Sequence, residues 1–126
     1  MMNLGGLSMG LTFYWYPNCS TCRNAKKWLE SNNIDFKQVH IVEETPTKEE
    51  IKAIIETSEL EPRRFFNTSG KVYREENLKE VIPTATLDEM AELLAGNGML
   101  IKRPILTDSK KVTVGFKEAE YEGVWL

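Results

Sequence analysis

Histidine and cysteine are scarce in this chain of 126 residues, which has one histidine, His40, and two cysteines, Cys19 and Cys22. A structural zinc ion needs about four ligands, so a single copy of the chain does not supply a complete zinc site. We therefore expect no metal and no other cofactor. Since the sequence shows no secretory signal, a persistent structural disulfide is disfavoured as well.

Long apolar runs are also missing. The longest ones fall far short of the roughly twenty residues that a membrane-spanning helix needs. Residues 1–9 lack the basic and apolar regions of a signal peptide. The sequence thus predicts a soluble cytoplasmic protein without membrane contact, in which residues 1–10 are a disordered extension and residues 11–126 form one domain.

The chain has no excess of positive charge. Sixteen basic and nineteen acidic side chains give a net charge of −3, and the two signs are interspersed along the sequence. Nucleic-acid-binding domains usually carry a broad basic face. Direct binding to DNA or RNA is therefore disfavoured.

The two cysteines lie three residues apart, between a predicted strand and a predicted helix. Residues 11–16 are rich in strand formers, Pro17 and Asn18 interrupt them, and residues 23–30 are typical of a helix. Cys19 is thereby placed at the helix N-terminus, where unpaired backbone N–H groups and the helix dipole favour a thiolate. Cys22, one turn further in, suits a resolving thiol that closes a disulfide with Cys19. Two inert buried cysteines are the alternative.

Helix and strand patterns alternate through the middle of the chain. Residues 36–41 alternate apolar and polar side chains, which predicts a second strand parallel to the first. Capping-box patterns at Thr47 and Thr86 each open a helix. Shorter helical segments are predicted at residues 62–66 and 76–81.

The end of the chain predicts a β-hairpin and a last helix. Residues 105–107 and 112–116 are strand-like and are separated by a turn, and a helix should follow through about Tyr121. The resulting order is βαβ, a helical insert over about residues 46–98, and then ββα. This order predicts an α/β, thioredoxin-like fold with a mixed four-stranded sheet.

Three segments resemble the arsenate reductase (ArsC)/Spx-related family, namely residues 16–29, 102–105 and 112–116. The resemblance extends from about Leu11 to about Glu122. It implies a thioredoxin-like fold with a helical insert, in a cytoplasmic bacterial protein. It also implies that the first cysteine attacks an oxyanion or a disulfide.

The resemblance assigns further residues to the surroundings of Cys19. It implies a cis peptide bond before Pro104, with Arg103 projecting toward the thiolate. A guanidinium group there would hold a tetrahedral oxyanion through two parallel hydrogen bonds. Arg63 is the second oxyanion ligand that the resemblance implies. The alternatives are a surface arginine before an ordinary trans proline, and a surface pair formed by Arg63 and Arg64.

The chain departs from the family pattern at two points. Arsenate reductases of this type that use glutathione carry one catalytic cysteine and a third arginine just after the penultimate strand, but residues 112–116 contain no arginine. The arsenate-binding set is therefore incomplete. Conversely, Cys22 is present, and the transcriptional regulators of the family use this cysteine in a redox switch.

Three hypotheses follow. The first is a thiol oxidoreductase with Cys19 as nucleophile, Cys22 as resolving thiol and a thioredoxin- or glutaredoxin-type reductant, in which Arg103 and Arg63 stabilise negative charge. The second is an Spx-like redox-sensing regulator that binds the RNA polymerase alpha subunit. The third is a protein that has kept the fold but makes no use of its thiols.

Overall fold

The computed structural model describes residues 10–126. The predicted disordered extension, apart from Gly10, lies outside the described residues. These residues contain four strands, which are β1 (Thr12–Trp15), β2 (Lys37–His40), β3 (Ile105–Thr107) and β4 (Val112–Val114). The α-helices are α1 (Ser20–Ser31), α2 (Lys48–Ser58), α3 (Lys71–Glu75), α4 (Leu78–Val81), α5 (Leu87–Gly96) and α6 (Glu118–Trp125). Short 3-10 turns occur at Pro62–Phe65, Ile82–Thr84 and Gly98–Leu100.

The four strands form one mixed sheet in the order β2-β1-β3-β4. β1 runs parallel to β2, whereas β3 is antiparallel to both β1 and β4. This topology confirms the predicted βαβ and ββα halves. In the register, Tyr14 pairs with Ile105, and Ile105 pairs with Val114. The C-terminal ends of β1 and β4 and the N-terminal end of β3 therefore meet at one end of the sheet.

Side chains of β1 alternate between two hydrophobic cores, because successive residues of a strand face opposite sides of the sheet. Phe13 is fully buried on one side with Leu29 of α1 and Tyr121 of α6. Tyr14 and Tyr16 pack on the other side, against the core of the helical insert. Each fully buried aromatic or aliphatic side chain of this kind contributes about 1.5–3 kcal/mol.

The two main helices of the insert begin at the predicted capping boxes. The N–H group of Glu50 donates to the Thr47 hydroxyl over 3.1 Å, and the Thr47 N–H group donates to the Glu50 carboxylate over 2.8 Å. Thr86 and Glu89 repeat the same pair of bonds at the start of α5. Such a cap contributes about 1 kcal/mol to stability.

A short antiparallel bridge joins the insert to the segment before β3. Phe66 pairs with Ile101, and the Lys102 N–H group donates to the Phe65 carbonyl oxygen over 2.8 Å. The 3-10 turn that carries Arg63 is thereby held beside the segment that leads into Arg103. The insert thus contributes side chains to the same end of the sheet as the cysteines.

Helix α1 begins at Ser20, directly after Cys19, whose sulfur serves as its N-terminal cap. Cys19 therefore lies at the helix N-terminus, as predicted. Two other elements differ from the sequence-based expectation. Helix α6 continues past Tyr121 to Trp125, whose indole N–H group donates to the Thr113 hydroxyl over 3.1 Å. Helix α3 was not predicted. It has no side-chain cap, and Tyr73 packs edge-on against Phe66 of the neighbouring turn.

Candidate active site

Cys19 occupies the N-cap position of α1, with extended backbone angles (φ −102°, ψ 114°). Its Sγ atom accepts a hydrogen bond from the Cys22 N–H group over 3.3 Å. Its own N–H group donates to the Tyr16 carbonyl oxygen over 3.0 Å, which closes the turn after β1. The side chain is partly exposed. The sulfur is therefore reached by a helix N–H donor on one side and by solvent on the other.

Cys22 lies one turn along the same helix and has no solvent-exposed surface. Burial raises the pKa of the Cys22 thiol to about 12, and its hydrogen bond to the Cys19 sulfur acts in the same direction. The Tyr16 N–H group and the Arg103 guanidinium lower this pKa, but by less. Cys22 is consequently protonated at neutral pH. Both cysteines are free thiols, so no disulfide joins them in this structure.

The basic residues of α1 brace the turn that carries the cysteines. Arg23 donates from Nη1 to the Pro17 carbonyl oxygen over 2.7 Å. The Lys26 ammonium lies 4.7 Å from the centre of the Trp15 ring. These charges hold the loop and the end of β1 in place.

Arg103 is half-buried at the start of the segment that leads into β3. Its Nη1 atom donates to the carbonyl oxygens of Met99 and Ile101 over 3.1 and 3.3 Å. Its guanidinium carbon lies 5.2 Å from the centre of the Tyr16 ring. Two carbonyl groups and an aromatic face thus fix the orientation of this arginine. Within residues 10–126 it makes no hydrogen bond to either cysteine.

The peptide bond between Arg103 and Pro104 is cis, as the resemblance implies. Pro104 is fully buried, and its carbonyl oxygen accepts a hydrogen bond from the Gly115 N–H group over 2.8 Å. Gly115 itself has a φ of +82°, in the region that favours glycine. The ends of β3 and β4 are thereby tied together below the site.

A cleft of about 840 Å³ opens between this end of the sheet and the insert. Thr21, in the first turn of α1, forms part of its wall. Arg103 and Arg63 both line it, so the structure brings the two sequence-predicted arginines to one cleft. Arg63 is nevertheless exposed, and its Nε atom lies 4.0 Å from the Glu61 carboxylate.

The cleft also contains cations that sequence reasoning did not single out. These are Arg64, Lys79, Lys102 and Lys117. Lys79 lies in the short helix α4 of the insert, and Lys117 comes directly after Gly115 and Phe116. Their spacing in the sequence carries no motif, because only the packing of the insert on the sheet brings them together. Lys117 supplies a positive charge next to the region in which the expected third arginine is missing.

His40 has a structural position beside the site. Its Nδ1 atom accepts hydrogen bonds from the Val42 and Glu43 N–H groups over 3.2 and 3.1 Å, and its ring packs edge-on against Tyr16. Among the residues that the structure describes, no three His, Cys, Asp or Glu side chains converge in a way that could hold a metal ion. Within the same residues, every helix is too short or too polar to cross a membrane.

Comparison with known proteins shows the family of this chain. The family model of the ArsC family matches residues 14–124. This chain belongs to the ArsC family. The family assignment made from the sequence is thereby confirmed.

Three individual matches show that the relatives of this chain are named for different functions. An uncharacterised Bacillus subtilis protein, YusI, is 58% identical, with 93% of this chain and 99% of that protein covered. The global transcriptional regulator Spx of Enterococcus faecalis is 36% identical, covering 87% of this chain and 82% of that protein. A solved structure described as a possible arsenate reductase from Streptococcus mutans is 44% identical, with a TM-score of 0.85 over 92% of this chain and 98% of that one.

These matches confirm the thioredoxin-like fold of this ArsC-family chain. The relatives include one described as a possible arsenate reductase and one named as a global transcriptional regulator. The family is thiol-based, and the two thiols of this chain are those of Cys19 and Cys22 at the start of α1.

Proposed function

We propose that this ArsC-family protein is a cytoplasmic thiol oxidoreductase in which Cys19 is the nucleophile and Cys22 the resolving thiol. The observation that carries the proposal is the asymmetry of the pair. Cys19 is partly exposed and accepts a helix N–H group, whereas Cys22 is fully buried and protonated at neutral pH. A nucleophile needs access to substrate, and a resolving thiol needs only to reach the sulfur beside it.

With a disulfide substrate, the Cys19 thiolate attacks one sulfur and the second sulfur leaves as a thiolate with the bonding electron pair. Cys22 then loses its proton and attacks the Cys19 sulfur of this mixed disulfide. The substrate sulfur leaves as a second thiol, and Cys19 and Cys22 are joined as a disulfide. Two electrons have passed from the protein to the substrate, and an external dithiol of the thioredoxin or glutaredoxin type restores the protein.

With arsenate, the Cys19 thiolate displaces water from arsenic(V) and forms a sulfur–arsenic bond. Attack of Cys22 on the Cys19 sulfur then forms the disulfide. The electron pair of the sulfur–arsenic bond stays on arsenic, which leaves as arsenite. Arg103 and Arg63, both in the adjacent cleft, would stabilise the negative oxygen atoms.

The structure supports an order for these two steps. Two of the causes that raise the Cys22 pKa are its hydrogen bond to the Cys19 sulfur and the negative charge on that sulfur. Both disappear once Cys19 is bonded to substrate. The pKa of Cys22 then falls, so Cys22 becomes a better nucleophile at the moment when it has to act.

The test is a coupled assay in which thioredoxin and its reductase, or glutaredoxin and glutathione, regenerate the purified protein at the expense of NADPH. We expect NADPH consumption when arsenate or a small disulfide is supplied, and none with the Cys19→Ser variant. Absence of consumption with every substrate and both reductants would reject the oxidoreductase.

A second function is a redox-sensing regulator, which the similarity to Spx over 87% of this chain favours. In that role, formation of the Cys19–Cys22 disulfide would alter binding to the RNA polymerase alpha subunit. A pull-down with that subunit, comparing the reduced and oxidised protein, tests it. Equal absence of binding in both states would exclude the regulator.

A further inference from the structure

The cleft beside the cysteines is strongly cationic, although the whole chain carries a net charge of −3. Six basic side chains line it, and Glu120 is the only acidic residue among the lining residues that the structure describes. The basic residues are Arg63, Arg64, Lys79, Lys102, Arg103 and Lys117. Positive charge is therefore concentrated at one place in an otherwise acidic protein.

Most of these cations lack an intramolecular counter-charge. Arg63 lies 4.0 Å from Glu61. For the other five, no carboxylate within residues 10–126 comes within 4.0 Å. By contrast, Lys48 and Lys52 of α2 both pair with Asp88 of α5, at 2.7 and 3.2 Å. Several like charges held close together without partners favour binding of an anion.

The size of the cleft indicates what kind of anion fits. Pockets for drug-sized ligands measure roughly 300–1,000 Å³, and this one measures about 840 Å³. One tetrahedral oxyanion would occupy a small part of it and would meet only some of the cations. Apolar side chains, including Phe66, Tyr73 and Phe116, cover other parts of the wall. The lining thus suits a longer molecule with several anionic groups and an uncharged portion.

We propose that the substrate of this site is a polyanionic low-molecular-weight disulfide, whose body carries two or more phosphate or carboxylate groups and extends into the cationic cleft. This inference rests on the proposed function, because Cys19 must attack the disulfide. Neither cysteine is among the lining residues, but the cleft reaches their turn at two points. Thr21 in the first turn of α1 lines it, and so does Arg103, which packs on the Tyr16 ring at the start of the cysteine turn.

The reaction of the reduced protein with such a substrate is balanced without any further reagent. Cys19 attacks the disulfide and releases one thiol, and Cys22 then displaces the other. The protein gains one disulfide bond and the substrate yields two thiols. A single turnover of the reduced full chain is therefore a complete test.

The experiment compares disulfides that share one thiol arm and differ in charge. They are pantethine, which is uncharged, the disulfide of 4′-phosphopantetheine, and coenzyme A disulfide. Oxidation of the reduced protein is followed by mass spectrometry under single-turnover conditions. We expect the rate constant to rise with phosphate number, by about tenfold or more from pantethine to coenzyme A disulfide at low salt. High salt should remove most of this preference, because it screens exposed charges.

Variants of exposed cleft cations locate the effect. Removing Arg64, Lys79 and Lys117 together by substitution with alanine should lower the rate ratio of coenzyme A disulfide to pantethine by about tenfold, at about twofold for each cation. Lys110→Ala is the matched control. Lys110 is also an exposed cation, but it lies in the β3–β4 turn at the opposite end of the sheet, so its loss should leave the ratio unchanged.

Comparison with glutathione disulfide, which carries carboxylates instead of phosphates, shows which of these two anionic groups the cleft prefers. Faster oxidation by coenzyme A disulfide than by glutathione disulfide would assign phosphate groups to the substrate, and the reverse would assign carboxylates. Equal rates for pantethine and both anionic disulfides would overturn the polyanionic substrate while leaving the oxidoreductase intact. If no disulfide oxidised the protein, the proposed function itself would fail.

Discussion

Cys19 and Cys22 lie one helical turn apart on α1, yet their surroundings are opposite. Cys19 is at the N-cap, partly exposed, and accepts an N–H hydrogen bond. Cys22 has no exposed surface, and burial raises its pKa to about 12. Only two residues of sequence thus separate a partly exposed thiol from a fully buried one. The difference comes from the direction in which each side chain leaves the helix.

The largest effect expected from this asymmetry is on turnover. Cys19→Ser should lower the rate of disulfide reduction by roughly a thousandfold or more, because it removes the attacking sulfur. Cys22→Ser should still form the mixed disulfide but should release it slowly. Mass spectrometry after mixing with a small disulfide would show a stable adduct on Cys19 in that variant. An adduct that accumulates equally in the wild type would contradict the resolving role.

The second effect is on stability, and here the substitution of Cys22 should matter more than that of Cys19. Cys22→Ser places a hydroxyl group in a fully buried position and should lower the free energy of unfolding by about 1–3 kcal/mol. Cys19→Ser should change it by less than about 0.5 kcal/mol, because serine is a favoured N-cap residue and can accept the same N–H group. Urea unfolding of the two variants at neutral pH measures both values. Equal losses would mean that the two positions are buried alike.

The third effect is a pH dependence that belongs to Cys22 alone. Its pKa is about 12 in the folded protein and 9.0 ordinarily, so the unfolded chain releases the proton first as the pH rises. The stability contributed by the neutral thiol is fully present below about pH 9 and is lost as the pH approaches 12. The wild type should therefore lose more stability than Cys22→Ala between neutral pH and a pH inside that window. Parallel losses in both proteins would show that Cys22 titrates normally.

The smallest effect concerns Arg103, whose charge lowers the Cys22 pKa less than burial raises it. Arg103→Gln should raise the folded-state pKa of Cys22 slightly, so the alkaline loss of stability should still begin near pH 9 but should extend to a higher pH and become slightly larger, whereas Arg103→Lys, which keeps the charge, should change it less. The comparison uses the same urea unfolding series, with each variant referred to its own value at neutral pH. Identical shifts in the two variants would indicate a steric rather than an electrostatic influence.

Much of this fold could be predicted from local sequence signals. The two capping boxes, the strand formers before Pro17 and the hairpin near the C-terminus each act over a few residues, and the structure contains all of them. Helix α3 escaped prediction because it has no cap and depends on the contact between Tyr73 and Phe66. The position of Cys19 at the start of α1 could also be predicted, because Pro17 and Asn18 separate the strand formers from the helix.

Some residues of the candidate site could likewise be predicted from the sequence, and others could not. The cysteine pair is visible as a motif, and the family resemblance pointed to Arg103 and Arg63. Lys79, Lys102 and Lys117 were not singled out because their side chains meet only through the packing of the insert on the sheet and the bridge between Phe66 and Ile101. The net charge of −3 gave no indication of the cleft either, because a total over the whole chain does not show where cations cluster.

The most direct test of the difference between the cysteines is differential alkylation of the reduced, folded protein. A limiting amount of iodoacetamide is added at neutral pH, and the labelled cysteine is identified by peptide mapping. We predict that the label is found on Cys19, and that Cys22 is labelled at a comparable rate only after unfolding in urea. Labelling of Cys22 first, or of both cysteines equally in the folded protein, would contradict the assignment of nucleophile and resolving thiol.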